Sequence, residues 1–309
     1  MLKLTKKQYI KLLLIYTWLA LAAVFCYNFK KIMGAPRKRP FQCNDENLSK
    51  PFILMDTVPP KQLYILGVYF PIALIASCEL FCCWTAKSSL HSSRWILKYV
   101  LKSSVVLTLF FIGLSVERLF KNMGKLKMAR LRPNFITVCE PMNADGYTCQ
   151  ELDNTVVMED YHCSSDSYPS WAVNSAFVSF PSGHTSLTAY SMLFIVGYLH
   201  LLCARLKHEK IFSTLLVLIV QIWCLLMILF VGASRVLDYR HHWTDVFAGF
   251  LAGSSVAVIL CWYLKGQQDN IDMWLKDVIN AEEIKRNPKA AHVTSEDKEA
   301  SFAIELGGV

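Results

Sequence analysis

The sequence predicts an all-α integral membrane protein with six transmembrane helices. Of its 309 residues, 54% are apolar, and the mean hydropathy is +0.32. These values are high for a soluble chain of this length. Six apolar runs come close to the roughly 20 residues that a helix needs to cross the hydrocarbon core of a bilayer. The predicted spans are residues 12–27, 63–84, 99–116, 185–204, 211–233 and 246–264.

The first apolar run is interpreted as a membrane anchor rather than a signal peptide, because Lys30 and Lys31 follow it and no small-residue cleavage site does. The spans then divide the chain into a cytosolic N-terminus at residues 1–11, a six-span domain at 12–265 and a cytosolic tail at 266–309. Apolar residues at helical spacing predict a helix in the tail that lies at the membrane interface or packs on a partner. These residues are Ile271, Trp274, Leu275, Val278 and Ile279.

Lysines and arginines divide almost evenly between the two sides of the membrane, so the positive-inside rule does not orient the chain. Two other features do. One is a glycosylation sequon at Asn47, in the loop after the first span. The other is a set of cysteines in two long loops on the same side, which indicates an oxidising compartment and up to two disulfides. The candidates are Cys43, Cys139, Cys149 and Cys163. We therefore place these loops outside the cell or in a lumen, with both termini in the cytosol.

The net charge of +8 suits a membrane protein that handles anionic lipids. Nucleic acid is not expected as a partner, because the charge accompanies membrane spans rather than a soluble basic domain. The basic run at residues 30–39 has no assigned role.

The first of three polar clusters is KLKMARLRP, residues 125–133, just beyond the third span. If that helix continues, Lys125 and Arg132 lie about two turns apart on one face, and Pro133 ends the helix. Two cations on one face suit a dianion. Taken alone, however, a solvated basic stretch is the plainer explanation.

The second cluster is PSGH, residues 181–184, at the start of the fourth span. A helix N-terminus presents free backbone N–H groups and the positive end of the helix dipole. Gly183 lets an anion approach the backbone closely, and His184 on the first turn is placed to donate a proton. The alternative is an ordinary cap at Ser182 followed by a surface histidine.

The third cluster is SRVLDYRHHWTD, residues 234–245, between the last two spans. His241 and Asp245 share a face if the segment is helical, and a carboxylate that holds one ring nitrogen leaves the other as a nucleophile. Arg235 adds a forked donor suited to phosphate. His242 lies three residues from Asp245, so spacing does not decide between the histidines. The alternative is an ordinary polar loop between two spans. It explains the polar residues, but not why all three clusters lie on the same side of the membrane.

The three clusters together resemble the three signature motifs of the type 2 phosphatidic acid phosphatase (PAP2) superfamily. The matching patterns are Lys125-x6-Arg132-Pro133, Pro181-Ser182-Gly183-His184 and Ser234-Arg235-x5-His241-x3-Asp245. Within that superfamily the chain is most similar to the animal lipid phosphate phosphatases, over about residues 8–265. The resemblance assigns the third-motif histidine to His241.

The resemblance implies a PAP2-like bundle with a metal-independent phosphatase site at the extracytoplasmic membrane edge. His241 would form a phosphohistidine and Asp245 would orient it, while His184 would protonate the leaving alkoxide and then activate water. The phosphoryl oxygens would be held by Lys125, Arg132, Ser182, Gly183 and Arg235. No metal and no other cofactor is expected, since the cations already supply the charge neutralisation.

The expected substrates are phosphomonoester lipids, and the sequence does not choose among phosphatidate, lysophosphatidate, sphingosine 1-phosphate and ceramide 1-phosphate. The plasma membrane is the expected location, with internal membranes as the alternative, and homo-oligomerisation is left open. Two other functions remain, an inactive membrane scaffold of the same fold and a lipid phosphotransferase. A transporter would need polar residues deep in several spans, where they are sparse.

Overall fold

The computed structural model describes residues 37–85, 94–152, 156–205 and 211–286, together with five isolated residues nearer the N-terminus, Thr17, Leu21, Val24, Phe25 and Gly34. The described residues are mostly helical. Their α-helices are α1 (Pro60–Tyr64), α2 (Phe70–Thr85), α3 (Arg94–Met128), α4 (Phe135–Cys139), α5 (Ser170–Ala176), α6 (Gly183–Arg205), α7 (Ile211–Leu237) and α8 (Trp243–Arg286). A π-helical turn, Ile65–Tyr69, joins α1 to α2.

Within the described ranges, five helical segments are long and apolar enough to cross a membrane. They are Pro60–Trp84, Lys98–Met128, Gly183–Ala204, Thr214–Leu237 and Trp243–Met273. These segments contain the second to sixth predicted spans almost entirely, so an all-α integral membrane fold is confirmed. The first predicted span, residues 12–27, lies largely outside the described residues, and the six-span count therefore stays a prediction.

The chain forms two compact units, and all three polar clusters lie in the larger one. The larger unit comprises Leu19–Leu74 and Thr108–Tyr263, and the smaller comprises Met1–Trp18, Ile75–Leu107 and Leu264–Val309. In the smaller unit, the buried carboxylate of Glu79 on α2 lies 3.6 Å from the Lys102 ammonium on α3. This ion pair places two intramembrane charges together, so neither faces hydrocarbon without a counter-charge.

Helix α6 is the most buried of the spans. Of its most apolar window, 67% is buried inside the protein, against 22–28% for the other four segments. Two glycines of α8 let that helix approach closely, because a Cβ atom at Gly249 would collide with the backbone of Ser182 and one at Gly253 with the α6 backbone at Ser186. Helix α7 instead exposes leucines such as Leu229, as a lipid-facing helix does.

The two long loops of the larger unit, which we predicted on one side of the membrane, pack together. Strand β1 (Phe41–Gln42) of the first loop pairs antiparallel with β3 (Val157–Met158) of the second, and β2 (Pro141–Met142) pairs with β4 (His162–Cys163). A small core lies between the loops, with the rings of Phe41 and Tyr161 in edge contact at 5.1 Å. The two loops therefore add four short strands to a fold that was expected to be all-α.

The four cysteines predicted to be outside form two disulfides. Cys43 pairs with Cys149, which ties the first loop to the second, and Cys139 pairs with Cys163 within the second loop. The other cysteines of the described chain lie in the spans.

Helix α8 is longer than the predicted sixth span. It continues without interruption to Arg286, so the described part of the tail extends this helix rather than forming a separate one. Leu275 in this extension is buried.

Candidate active site

Lys125 and Arg132 of the first motif do not share a helical face, so the expectation that α3 continues to Pro133 is wrong. Helix α3 ends at Met128, ahead of Pro133, because Ala129 adopts a left-handed conformation with φ of 41°. Lys125 is therefore on the last turn of α3, whereas Arg132 lies in the extended segment that follows. The reason is a competing pairing, in which Arg132 N–H donates to the Ala176 carbonyl at 2.9 Å.

That extended segment also anchors the residues before the second motif. The Ser179 N–H donates to the carbonyl of Arg130 at 2.7 Å, so the chain entering α6 runs beside the chain leaving α3. Pro181 packs against Gly124, where a Cβ atom would approach the proline ring to 2.6 Å. The first and second motifs are thus held together by backbone contacts rather than by their charged groups.

The second motif begins α6 as predicted, with Ser182 immediately before the helix and His184 on its first turn. Ser182 N–H donates to the Asp245 carbonyl at 2.9 Å, which joins the second motif to the third. Ser182 is fully buried, and the first backbone N–H groups of α6 follow it directly. They can receive an anion there.

The third motif is a turn between two helices, and α7 contributes more of it than expected. Ser234 and Arg235 lie on the last turns of α7, which runs to Leu237. The helix ends in a Schellman motif, with Arg240 N–H donating to the Arg235 carbonyl and Tyr239 in the left-handed region at φ of 52°. This turn carries His241 back over the end of α7.

His241 and Asp245 do not share a helix face, because α8 begins at Trp243. Asp245 instead closes a reciprocal cap, in which its Oδ2 accepts the His242 N–H at 3.0 Å and its own N–H donates to the His242 carbonyl at 3.0 Å. His242 Nδ1 also lies 3.1 Å from Oδ2. The contacts of His242 therefore have a structural explanation as the cap of α8.

The ring of His241 is buried, with Nδ1 4.0 Å from Asp245 Oδ2 and 3.3 Å from Ser179 Oγ. Burial is the largest cause that holds the pKa of His241 well below its usual range, and positive neighbours lower it further. The cationic neighbours are Arg132, Lys125 and Arg235. The imidazole is therefore neutral at neutral pH, the form in which a ring nitrogen is nucleophilic.

The predicted cations thus lie within electrostatic range of His241. Nε2 of His184 and Nε of Arg132 are buried and have no hydrogen-bond partner among the described residues. Burial and the charges of Arg240 and Arg235 lower the pKa of Arg132 to about 10, so its guanidinium stays charged at neutral pH. Buried donors of this kind suit an anion.

Arg235 is held by two carboxylates that the sequence did not single out. Its Nη2 donates to Asp238 Oδ2 at 2.7 Å, and its Nη1 lies 3.6 Å from Asp56 Oδ2. Asp56 also accepts from Arg240 Nε at 2.6 Å, and Thr57 donates twice to Asp238. The first loop thereby fixes the position of the third-motif arginine.

Asp56→Asn is expected to lower the free energy of unfolding by about 3 kcal/mol or more, because it leaves two buried guanidinium groups short of a counter-charge. The control is Asp160→Asn, which removes an exposed pair with Lys38 and should cost less than about 1 kcal/mol. Thermal unfolding of both purified variants measures this difference. Equal stability of the two variants would show that the Asp56 network does not hold Arg235.

Asp245 is the most heavily contacted carboxylate of the site, and Arg130 is a partner that the sequence reading missed. Arg130 Nη1 donates to Asp245 Oδ1 at 2.7 Å and to Thr244 Oγ1 at 2.6 Å. A cavity of about 450 Å³ lies against this arginine and is also lined by Asn47 and Trp243. Arg130 stands two residues before Arg132, so its position in the basic run was the only signal.

Three other residues near the site had little in their sequence context to indicate a role. Ser179 precedes the second motif by two residues, and Asp56 lies in an irregular loop far from all three motifs in sequence. Lys121 packs its side chain against Gly183, one helical turn before Lys125. In the described ranges no group of three or more His, Cys, Asp or Glu side chains is arranged to hold a metal ion.

The fold and these motifs define a helical membrane protein with a buried group of histidines and cations. Residues 101–269 match the PAP2 superfamily. Phospholipid phosphatase 2 of Homo sapiens is 31% identical, over 75% of this chain and 75% of its own length. Phospholipid phosphatase 1 of Rattus norvegicus is 30% identical, over 81% and 84%. The chain therefore belongs to the PAP2 superfamily, and the resemblance drawn from the motifs is confirmed.

A Drosophila melanogaster protein named for phosphatidate phosphatase activity is 31% identical over 75% of this chain, but the match spans only 63% of that relative. No solved structure matches the chain.

Proposed function

We propose that the protein is a metal-independent phosphatase of phosphomonoester lipids that works through a phosphohistidine on His241. The observation behind the proposal is the environment of His241, a buried and neutral imidazole near His184 of the second motif and near cations of the first and third motifs. The names of the relatives, phospholipid phosphatase and phosphatidate phosphatase, support lipid phosphatase activity in general.

In the first step the Nε2 lone pair of His241 attacks phosphorus, and the bond from phosphorus to the ester oxygen breaks. His184 gives its proton to that oxygen, so the lipid leaves as an alcohol. The substrate brings negative charge among the cations, which favours the protonated form of His184 that this step needs. Asp245 stabilises the positive charge that develops on the His241 ring.

In the second step the neutral His184 takes a proton from water, and the water oxygen attacks phosphorus. The P–N bond breaks and its electron pair returns to His241 Nε2, which releases inorganic phosphate. Through both steps the phosphoryl oxygens are held by cations and by the start of α6. The groups proposed for this role are Lys125, Arg132, Arg235, Ser182 and the Gly183 backbone.

The site suits a substrate that stays in the membrane. Leu237 and Trp243 flank the turn that carries His241, and their side chains are about 70% exposed (71% and 70%). Exposed apolar and indole groups at the end of a span are typical of the membrane interface. A lipid could keep its chains in hydrocarbon there while its phosphate enters the site. We place the protein in the plasma membrane with this edge outside the cell and both termini in the cytosol, and the alternative is an internal membrane with this edge in the lumen.

The test is hydrolysis of phosphatidate by the purified protein in mixed micelles with EDTA present. We expect release of inorganic phosphate that EDTA does not reduce, and a panel with lysophosphatidate, sphingosine 1-phosphate and ceramide 1-phosphate then ranks the substrates. No release from any of the four lipids would favour the inactive scaffold. Transfer of the phosphoryl group to an added alcohol in preference to water would favour the phosphotransferase.

Asn47 is expected to carry an N-linked glycan, because its side chain is exposed and the sequon lies in a loop that we place outside. A glycosidase that removes N-linked glycans should increase the gel mobility of the protein made in animal cells. Asn47→Gln is the control and should remove the response. Unchanged mobility after the enzyme treatment would count against this orientation.

A further inference from the structure

Asp245 and His241 are not in direct hydrogen-bond contact, although the proposed function needs the carboxylate to orient the ring. His241 Nδ1 lies 4.0 Å from Asp245 Oδ2, beyond hydrogen-bond range. That oxygen is occupied by other donors, which are Ser179 Oγ at 2.6 Å, the His242 N–H at 3.0 Å and His242 Nδ1 at 3.1 Å. A different group must therefore fix the His241 ring.

Ser179 is the side chain that contacts both groups. Its Oγ lies 2.6 Å from Asp245 Oδ2 and 3.3 Å from His241 Nδ1. The residue is fully buried, and its backbone N–H is anchored on the Arg130 carbonyl at 2.7 Å. The hydroxyl is thus held in place between the carboxylate and the imidazole rather than reaching them from a mobile loop.

Hydrogen counting gives this chain of contacts a direction. Asp245 is paired with Arg130 at 2.7 Å, so it is ionised and can only accept. The single hydroxyl proton of Ser179 therefore goes to Asp245. The oxygen of Ser179 then has only lone pairs to offer His241, and the ring must donate its Nδ1–H. The remaining nitrogen, Nε2, carries the lone pair.

We propose that Ser179 is a positioning residue that fixes the Nε2-nucleophilic tautomer of His241 on behalf of Asp245. This inference rests on the proposed function, because it concerns the same nucleophile. The serine makes and breaks no covalent bond. It donates one hydrogen bond to Asp245 and accepts one from the ring, and it stabilises the imidazolium charge that appears when Nε2 binds phosphorus.

The test compares Ser179→Ala with Ser191→Ala in the full-length protein. Ser191 is a matched control, since it is also fully buried on α6 and donates a 2.6 Å hydrogen bond to the Gly67 carbonyl. Ser179→Ala is expected to lower kcat on phosphatidate about 10- to 100-fold with KM changed less than about twofold, since it removes an orienting partner and not a phosphate contact. Ser191→Ala should keep kcat within about twofold of wild type.

A spectroscopic readout separates positioning from packing. Nitrogen NMR of 15N-histidine-labelled protein, with the His241 signals assigned from the spectrum of His241→Ala, reports which ring nitrogen carries the proton. Wild type should show the proton on Nδ1, and Ser179→Ala should show an increased share on Nε2. If Ser179→Ala does not fold, Ser179→Cys replaces it under the same criteria, because a thiol is a weak donor and acceptor.

The proposal is overturned if Ser179→Ala loses no more activity than Ser191→Ala, or if wild-type His241 carries its proton on Nε2. Failure of the wild-type protein to hydrolyse any lipid phosphate would instead contradict the proposed function. The two failures are therefore distinguishable.

Discussion

His241→Ala is expected to lower turnover of phosphatidate by at least about 10³-fold while the protein still folds and inserts, because the variant lacks the nucleophile. Folding should persist because the backbone contacts of this turn remain. The His241 N–H donates to the Arg235 carbonyl at 3.2 Å, and alanine keeps that bond. Steady-state release of inorganic phosphate from micelles measures the loss.

The neighbouring histidine provides the control for this experiment. His242→Ala keeps the backbone cap of α8 and removes only the contact of the ring with Asp245 Oδ2 at 3.1 Å, so it should lower stability by about 1–2 kcal/mol and leave substantial turnover. The two substitutions remove the same ring one residue apart, which makes them a matched pair. An active His241→Ala together with an inactive His242→Ala would show that the nucleophile is assigned to the wrong residue.

His184→Ala is expected to lower kcat on phosphatidate by about 10²- to 10⁴-fold, the range that a general acid and base contributes. The first step needs a proton for the alkoxide, and the second needs a base for water. The aryloxide of an aryl phosphate is a good leaving group without protonation. With this substrate the first step should therefore be less impaired. We therefore expect a burst of aryl alcohol from His184→Ala, followed by slow release of phosphate.

The control for His184→Ala is His200→Ala, which removes an exposed histidine near the other end of α6. It should retain wild-type kinetics with both substrates. Equal loss of the first and second steps in His184→Ala, without a burst from the aryl phosphate, would contradict the dual role of His184.

The spans and the motifs were predictable from the sequence because both depend on local patterns. Apolar runs of the right length give helices, and the three motifs have fixed spacings. The ends of the helices were harder to predict from the sequence. Helix α3 stops at Met128 because the following segment pairs with the residues before α6, a contact between parts of the chain about 45 residues apart.

The supporting network of the site could not be predicted for the same reason. Asp56 reaches Arg235 and Arg240 from a loop that precedes them by about 180 residues, and an aspartate in an irregular loop has no distinguishing pattern. Spacing also led to the expectation that His241 and Asp245 share a helix face. The start of α8 at Trp243 removes that relationship, and Ser179 lies between the two side chains instead.

Rapid-quench labelling tests the central claim most directly. Purified wild-type protein is mixed with phosphatidate carrying a 32P label in its phosphate, in the presence of EDTA, and is quenched in alkali within the first turnover. We expect a protein-bound label that is stable to alkali and lost in acid, located on His241 by peptide mass spectrometry. Label on another residue, or turnover in EDTA with no labelled protein at any quench time, would contradict the account.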